Sequence, residues 1–133
     1  MLKKLLISII LLISTFYSFA ISDTEEIKNT INIYQTALNE KDYEKLKTII
    51  KNRENLEAVL SIINNPYITQ YSYFYDISIE SIDIKGAIAD VKTKTKCTVD
   101  FSNLKDLNIE PITTELSHTF VLIKENDKWL LIY

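Results

Sequence analysis

Apolar side chains follow three successive rhythms along this chain. They run from Leu5 to Ile13 with only Ser8 among them, recur every three or four residues from Ile27 to Ile63, and alternate with polar ones beyond Pro66. A three-to-four spacing puts one apolar stripe on an α-helix, and strict alternation gives a strand with one covered face. Ile27, Ile31, Tyr34 and Leu38, with Ala37 beside them, predict a first helix broken near Asn39-Glu-Lys41. Ser22-Asp-Thr-Glu25 has the spacing of a capping box at its start. Asp42 is placed to cap a second, shorter helix whose buried face is Tyr43, Leu46, Ile49 and Ile50. The phase resets around Asn52-Arg-Glu-Asn55. Leu56, Val59, Leu60 and Ile63 then predict a third helix, ended by Asn64-Asn-Pro66.

After Pro66, residues Tyr67, Thr69, Tyr71, Tyr73, Tyr75, Ile77 and Ile79 share one face of a long strand. The apolar phase then jumps by one residue to Ile82 and Ile84, the mark of a β-bulge at Glu80-Ser81. Lys85-Gly86 reads as a hairpin turn. The next strand alternates from Ala87 to Phe101, with Val91, Cys97 and Val99 on its covered face and Lys92, Lys94 and Lys96 on its wet one. Ser102 to Pro111 reads as an irregular loop, Ile112 to Lys124 as a third strand, Glu125-Asn-Asp127 as a turn and Lys128 to Tyr133 as a last strand. Helices first and long antiparallel strands afterwards predict an α+β domain, its three helices packed on one face of a strongly curved antiparallel sheet of about four strands.

The first apolar stretch has a different meaning. Lys3-Lys4, the run from Leu5 to Ile13 and the small residues of Ser18-Phe-Ala20 are the three parts of a secretory signal peptide. Ser14, Thr15, Tyr17 and Ser18 cut the run short of the ~20 apolar residues that span a bilayer. The expectation is a signal peptide at residues 1–20 and one domain at 21–133, exported to the periplasm or secreted. Contact with a membrane is expected only if that segment stays uncleaved. The net charge of the chain is −3, and loss of Lys3 and Lys4 makes the remainder more acidic. Apart from Arg53 every basic residue is a lysine. Nucleic acid is therefore not an expected partner, since phosphate binding needs clustered base-rich surface. One cysteine, Cys97, makes no intrachain disulfide, so the core must hold the domain together.

Two segments carry a resemblance. Tyr34-x-x-Ala37-Leu-Asn-Glu-Lys-Asp42-Tyr-Glu-Lys-Leu46 and Phe120-Val-Leu-Ile-Lys124-Glu-Asn-Asp-Lys-Trp129-Leu-Leu-Ile132 resemble the nuclear-transport-factor-2-like (NTF2-like) superfamily, in particular its small exported bacterial members. The resemblance covers nearly all of residues 21–133 and implies a cone-shaped fold with a pocket between the first helix and the concave sheet face. That fold hosts isomerases, dehydratases, transport factors and non-enzymatic modules, so it does not name an activity. Tyr34 matches the helix position of an oxyanion-stabilising tyrosine in ketosteroid isomerase, eight residues before the matching aspartate, here Asp42. That isomerase also has a carboxylate base beyond the third helix, where this chain reads Asn64-Asn-Pro-Tyr-Ile-Thr-Gln-Tyr71 without an acid.

His118 is the sole histidine, and any proton transfer at neutral pH would rest on it. It shares a strand face with Leu116, Phe120 and Leu122. The candidates for catalysis are His118 and Tyr34, and those for a ligand pocket are Tyr34, Tyr71, Tyr73, Tyr75, His118 and Phe120. The tyrosine row reads either as strand-forming core or as stacking surface with hydroxyls. A histidine and a cysteine so far apart do not suggest a metal site, and no cofactor motif is present. The expected function is an exported, non-catalytic binding module for a small apolar or aromatic ligand or an envelope protein. The alternatives are a small pocket enzyme (isomerase, dehydratase or hydrolase-like) using His118 and Tyr34, and a structural homodimeric envelope subunit. On the opposite face of the third strand, Thr119, Val121 and Ile123 form the candidate surface for a homodimer or an envelope partner.

Overall fold

Asp42 and Asn52 begin two helices by the same device, a side-chain oxygen accepting from a backbone N–H of the first turn. Lys45 N–H donates to Asp42 Oδ1 at 3.1 Å and Glu54 N–H to Asn52 Oδ1 at 2.9 Å. The computed structural model of the protein describes residues 23–66, 70–104, 106 and 108–132. The expected signal peptide, Ser22 of the capping box, Tyr67, Thr69 and Tyr133 lie outside these residues. Helix α1 runs through residues 23–40 and stops at Lys41, whose φ of 56° is left-handed. Helix α2 is Tyr43–Ile49 and α3 is Arg53–Ile63.

The strands are β1 (Ser72–Lys85), β2 (Ile88–Asp100), β3 (Ile112–Glu125) and β4 (Lys128–Leu131), in the order β1-β2-β3-β4 with every pairing antiparallel. The sheet curls strongly into a half-barrel around the helices, an α+β cone. Its bend has a local cause. The β1–β2 register slips between Ile79 and Ser81, leaving Glu80 as the extra residue of a bulge at the point where the apolar phase jumps. Gly86, at φ 62°, opens the tight β1–β2 turn, and Asn126 and Asp127, at φ 48° and 60°, make the mirror-image turn between β3 and β4. Ala87 therefore sits exposed in a turn and not on the covered face of β2 that its phase suggested.

The core forms where α1 and α2 cross the closed end of the curl. Ile27, Ile31 and Ala37 of α1 and Leu46 of α2 pack with Val91, Leu122, Trp129 and Leu131 from the sheet. Trp129 is only 2 % exposed. Ile50 does not continue α2 as its apolar phase suggested; it is extended and pairs with Leu131 in a parallel bridge. No residue of α3 is fully buried. That helix spans the open end of the cone with its stripe half covered, and the open end is where the candidate site lies.

Candidate functional site

Tyr34 on α1 and His118 and Phe120 on β3 converge at the open end. The Phe120 ring is the centre of the group: Tyr34 meets it edge-on with centroids 5.3 Å apart, and His118 does so at 4.6 Å. Alternation along β3 brings His118 and Phe120 to the concave face together, and the helical repeat of α1 turns Tyr34 toward them. Thr93, buried on β2 opposite His118, fixes that strand by donating from its hydroxyl to the His118 carbonyl at 3.0 Å. Between these rings and α3 lies a cavity of about 430 Å³, completed by Asn55, Ala58, Val59 and Ile62 of α3, by Ile50, and by Leu131 and Ile132 at the end of β4. Asn55 holds the corner by donating from its amide to the Ile132 carbonyl.

The chemistry of this lining is sparse. Among the described residues no carboxylate borders the cavity. Burial raises the Tyr34 phenol above its ordinary pKa, so at neutral pH it is an uncharged hydroxyl able to donate a hydrogen bond. Asp42 stands elsewhere: it caps α2 and faces Lys45. Among the described residues no three His, Cys, Asp or Glu side chains gather as a metal site would need. Among them, too, no helix is long and apolar enough to cross a membrane.

The tyrosine row divides. Tyr71, Tyr73 and Tyr75 do share one face of β1, but they border a separate small depression of about 30 Å³ with Leu38, Lys41, Ile62 and Ile63. Tyr71 packs edge-on against Phe101 at 5.3 Å. Burial and the neighbouring Cys97 thiol push the Tyr75 phenol up to about 12. Burial also raises the Cys97 thiol, an effect tempered by its hydrogen bond with Tyr75. Of the six pocket candidates, then, Tyr34, His118 and Phe120 line one cavity, and the three β1 tyrosines form an adjoining wall. The residues of α3 were missed because Val59 reads as ordinary core and Asn55 and Ala58 lie off the apolar stripe. The one signal was Ile62, an apolar residue out of phase with Leu56, Val59, Leu60 and Ile63. It is 56 % exposed, at the edge of both depressions.

No protein-family profile matches the sequence, and no curated protein does. Solved structures do match. Kfla4162 from Kribbella flavida superposes with a TM-score of 0.70 at 10% identity, over 84% of this chain and 87% of that one. An NTF2-like superfamily protein from Salmonella enterica gives a TM-score of 0.61 at 15% identity, over 81% of this chain and 84% of that one. The fold is that of the NTF2-like superfamily. A candidate dehydratase of the NTF2-like family from Streptomyces avermitilis agrees with it, at a TM-score of 0.62 and 14% identity over 82% of this chain and 91% of that one. Identities this low carry the backbone and not the site. The NTF2-like cone is consistent with ligand binding or with an enzyme, and a choice between them rests on the side chains of this chain.

Proposed function

We propose that the protein is an exported, non-catalytic binding module whose cavity takes a small apolar, ring-bearing ligand. The cavity itself carries this reading. About 430 Å³ lies within the range of roughly 300–1,000 Å³ typical of small-molecule sites. Its walls are aromatic and aliphatic, and its few polar groups (Tyr34, Asn55 and His118) suit orientation of a hydroxyl or carbonyl on the ligand. Stacking against Phe120 and burial against Val59 and Leu131 would supply most of the affinity. General acid–base catalysis asks for a group of tuned pKa beside the reacting proton, and among the described residues no carboxylate borders this cavity to pair with His118. Export to the periplasm or beyond is supported by the order of charged, apolar and small residues in 1–20.

Titration calorimetry with 2-naphthol, a flat hydroxylated ring, tests the cavity. One saturable site is expected in the wild type, lost in Ala58→Phe, which fills the space from an exposed helix position while the far-UV spectrum is retained. Absence of saturable heat, or binding indifferent to Ala58→Phe, would overturn the proposal. The second reading, a pocket enzyme, is favoured by one observation: Tyr34 and His118 both pack on Phe120 in the same cavity. Turnover of a small hydroxylated or carbonyl compound that vanished in a folded His118→Ala variant would establish it. Amino-terminal sequencing of the exported protein, expected to start at or near Ile21, tests the localisation.

A further inference from the structure

The sheet has three stretches of strand edge among the described residues, and two of them are covered at least in part. Along β1, side chains of α1 take the place of a neighbouring strand. Asn39 donates to the Tyr75 carbonyl at 2.8 Å and accepts from Tyr75 N–H at 2.7 Å, and Gln35 accepts from Ile77 N–H at 2.5 Å. The bulge at Glu80 interrupts the same edge further on. Along β4, Ile50 bridges to Leu131, and Lys51 N–H donates to the Leu131 carbonyl at 2.8 Å.

The third edge is open. Strand β4 pairs with β3 only from Leu122 to Glu125, with Ile132 N–H reaching the Val121 carbonyl at 2.9 Å. Val121 thus turns its backbone toward the β4 side, whereas Lys124 N–H donates toward β2, to the Ala87 carbonyl. The β2–β3 register has no slip, so Thr113, Glu115, Ser117 and Thr119 direct their N–H and C=O groups outward, where no strand of the described residues pairs with them. Every residue from Pro111 to Thr119 is exposed. Sheet proteins usually blunt such an edge with lysine, proline or a bulge. Ile112–Phe120 has none of these and one charge, Glu115, which already faces Lys94 at 3.8 Å.

We propose that this edge pairs in antiparallel register with the same edge of a second copy of the chain, joining two four-stranded sheets across a two-fold axis near Leu116. The edge is self-complementary about that residue. Thr113 falls opposite Thr119 of the second copy and Glu115 opposite Ser117, so the outward backbone groups meet in hydrogen-bonded pairs and no like charges oppose. On the concave side Leu116, 65 % exposed in the single chain, meets its own copy, and Ile112 meets Phe120. A shift of the axis by one residue to Glu115 would set two carboxylates against each other. The interface is a strand edge and is distinct from the outer face of Thr119, Val121 and Ile123. It holds whatever the cavity contains.

Sedimentation velocity of the purified protein at high micromolar concentration is the test, with Ser117→Pro and Ser117→Glu as variants, the second setting a carboxylate against Glu115 of the second copy on both sides of the axis. Ser117 N–H points away from β2, so proline there costs no bond within the sheet. A wild-type dimer is expected, weakened by at least about tenfold in both variants and unaffected by Ser117→Ala. A wild-type monomer would overturn the proposal. So would a dimer that survives both Ser117 variants, or one split only by Val121→Lys on the outer face. If Ser117→Pro proves unfolded by circular dichroism, Ser117→Glu decides alone.

Discussion

Lys124 of β3 reaches Asp23, at the start of the described part of α1, with Nζ 2.6 Å from Oδ1, across 101 positions of sequence. The Trp129 indole donates to the same oxygen at 3.1 Å. Thr30, about two turns further along the helix, donates to the Trp129 carbonyl at 3.0 Å. The clasp ties the first helix to the β3–β4 hairpin and so sets the position of the helix that carries Tyr34.

The Asp23–Lys124 pair gives the fold an acid limit. Burial pushes the Asp23 carboxyl up, but hydrogen bonds from Lys124 and Trp129, together with the Lys124 charge, outweigh it and hold the group below its ordinary pKa of 3.8. A carboxyl lowered by folding contributes stability that is present above its unfolded pKa and is lost as pH falls through the folded one. Resistance to urea unfolding is therefore expected to fall as pH drops below about 4, and Asp23→Asn should flatten that part of the profile. An acid arm of equal slope in the variant would show that Asp23 does not contribute.

Trp129 is a buried aromatic of the β3–β4 hairpin. At 2 % exposure, its truncation to alanine should cost about 3–5 kcal/mol in urea denaturation. Trp129→Phe keeps most of the ring and loses the bond to Asp23, so a smaller loss of about 1–3 kcal/mol is expected. A loss under about 1 kcal/mol for the alanine variant would contradict the packing described here.

Asn39 closes the β1 edge with both ends of its amide. Replacement by alanine leaves the Tyr75 N–H and C=O without that partner and should cost about 1–3 kcal/mol. The same change opens a second sheet edge, so concentration-dependent association of Asn39→Ala above that of the wild type is expected by light scattering. Unchanged stability and unchanged association together would show that water replaces the amide without cost.

Periodicity made the elements legible. The stripes of α1 and α2, the bulge after Ile79 and the turns at Gly86 and Asn126 all lie where the hydrophobic phase or the turn chemistry changes, because those signals act over a few residues. The clasp of Asp23, Lys124 and Trp129 was not legible, since it joins groups a hundred residues apart and each alone reads as a cap, a strand lysine or a core aromatic. Asn39 and Gln35 look like solvent-facing helix positions; only the curl of β1 brings the backbone of Tyr75 and Ile77 to them. At the site, the alternation of β3 puts His118 and Phe120 on one strand face, where their rings meet. The position of α3 across the open end, which makes half of the cavity wall and sets Tyr71, Tyr73 and Tyr75 apart, depends on tertiary packing that a stripe does not encode.

The most direct measurement for the binding account is chemical-shift mapping of the isotope-labelled protein during titration with 2-naphthol. Saturating shifts are expected at Tyr34, Ala58, Val59, Ile62, His118 and Phe120, with Tyr71 and Tyr73 little changed and no conversion of the probe over the experiment. Shifts confined to other surfaces, or none at these six residues at saturating probe, would contradict a ligand site in this cavity.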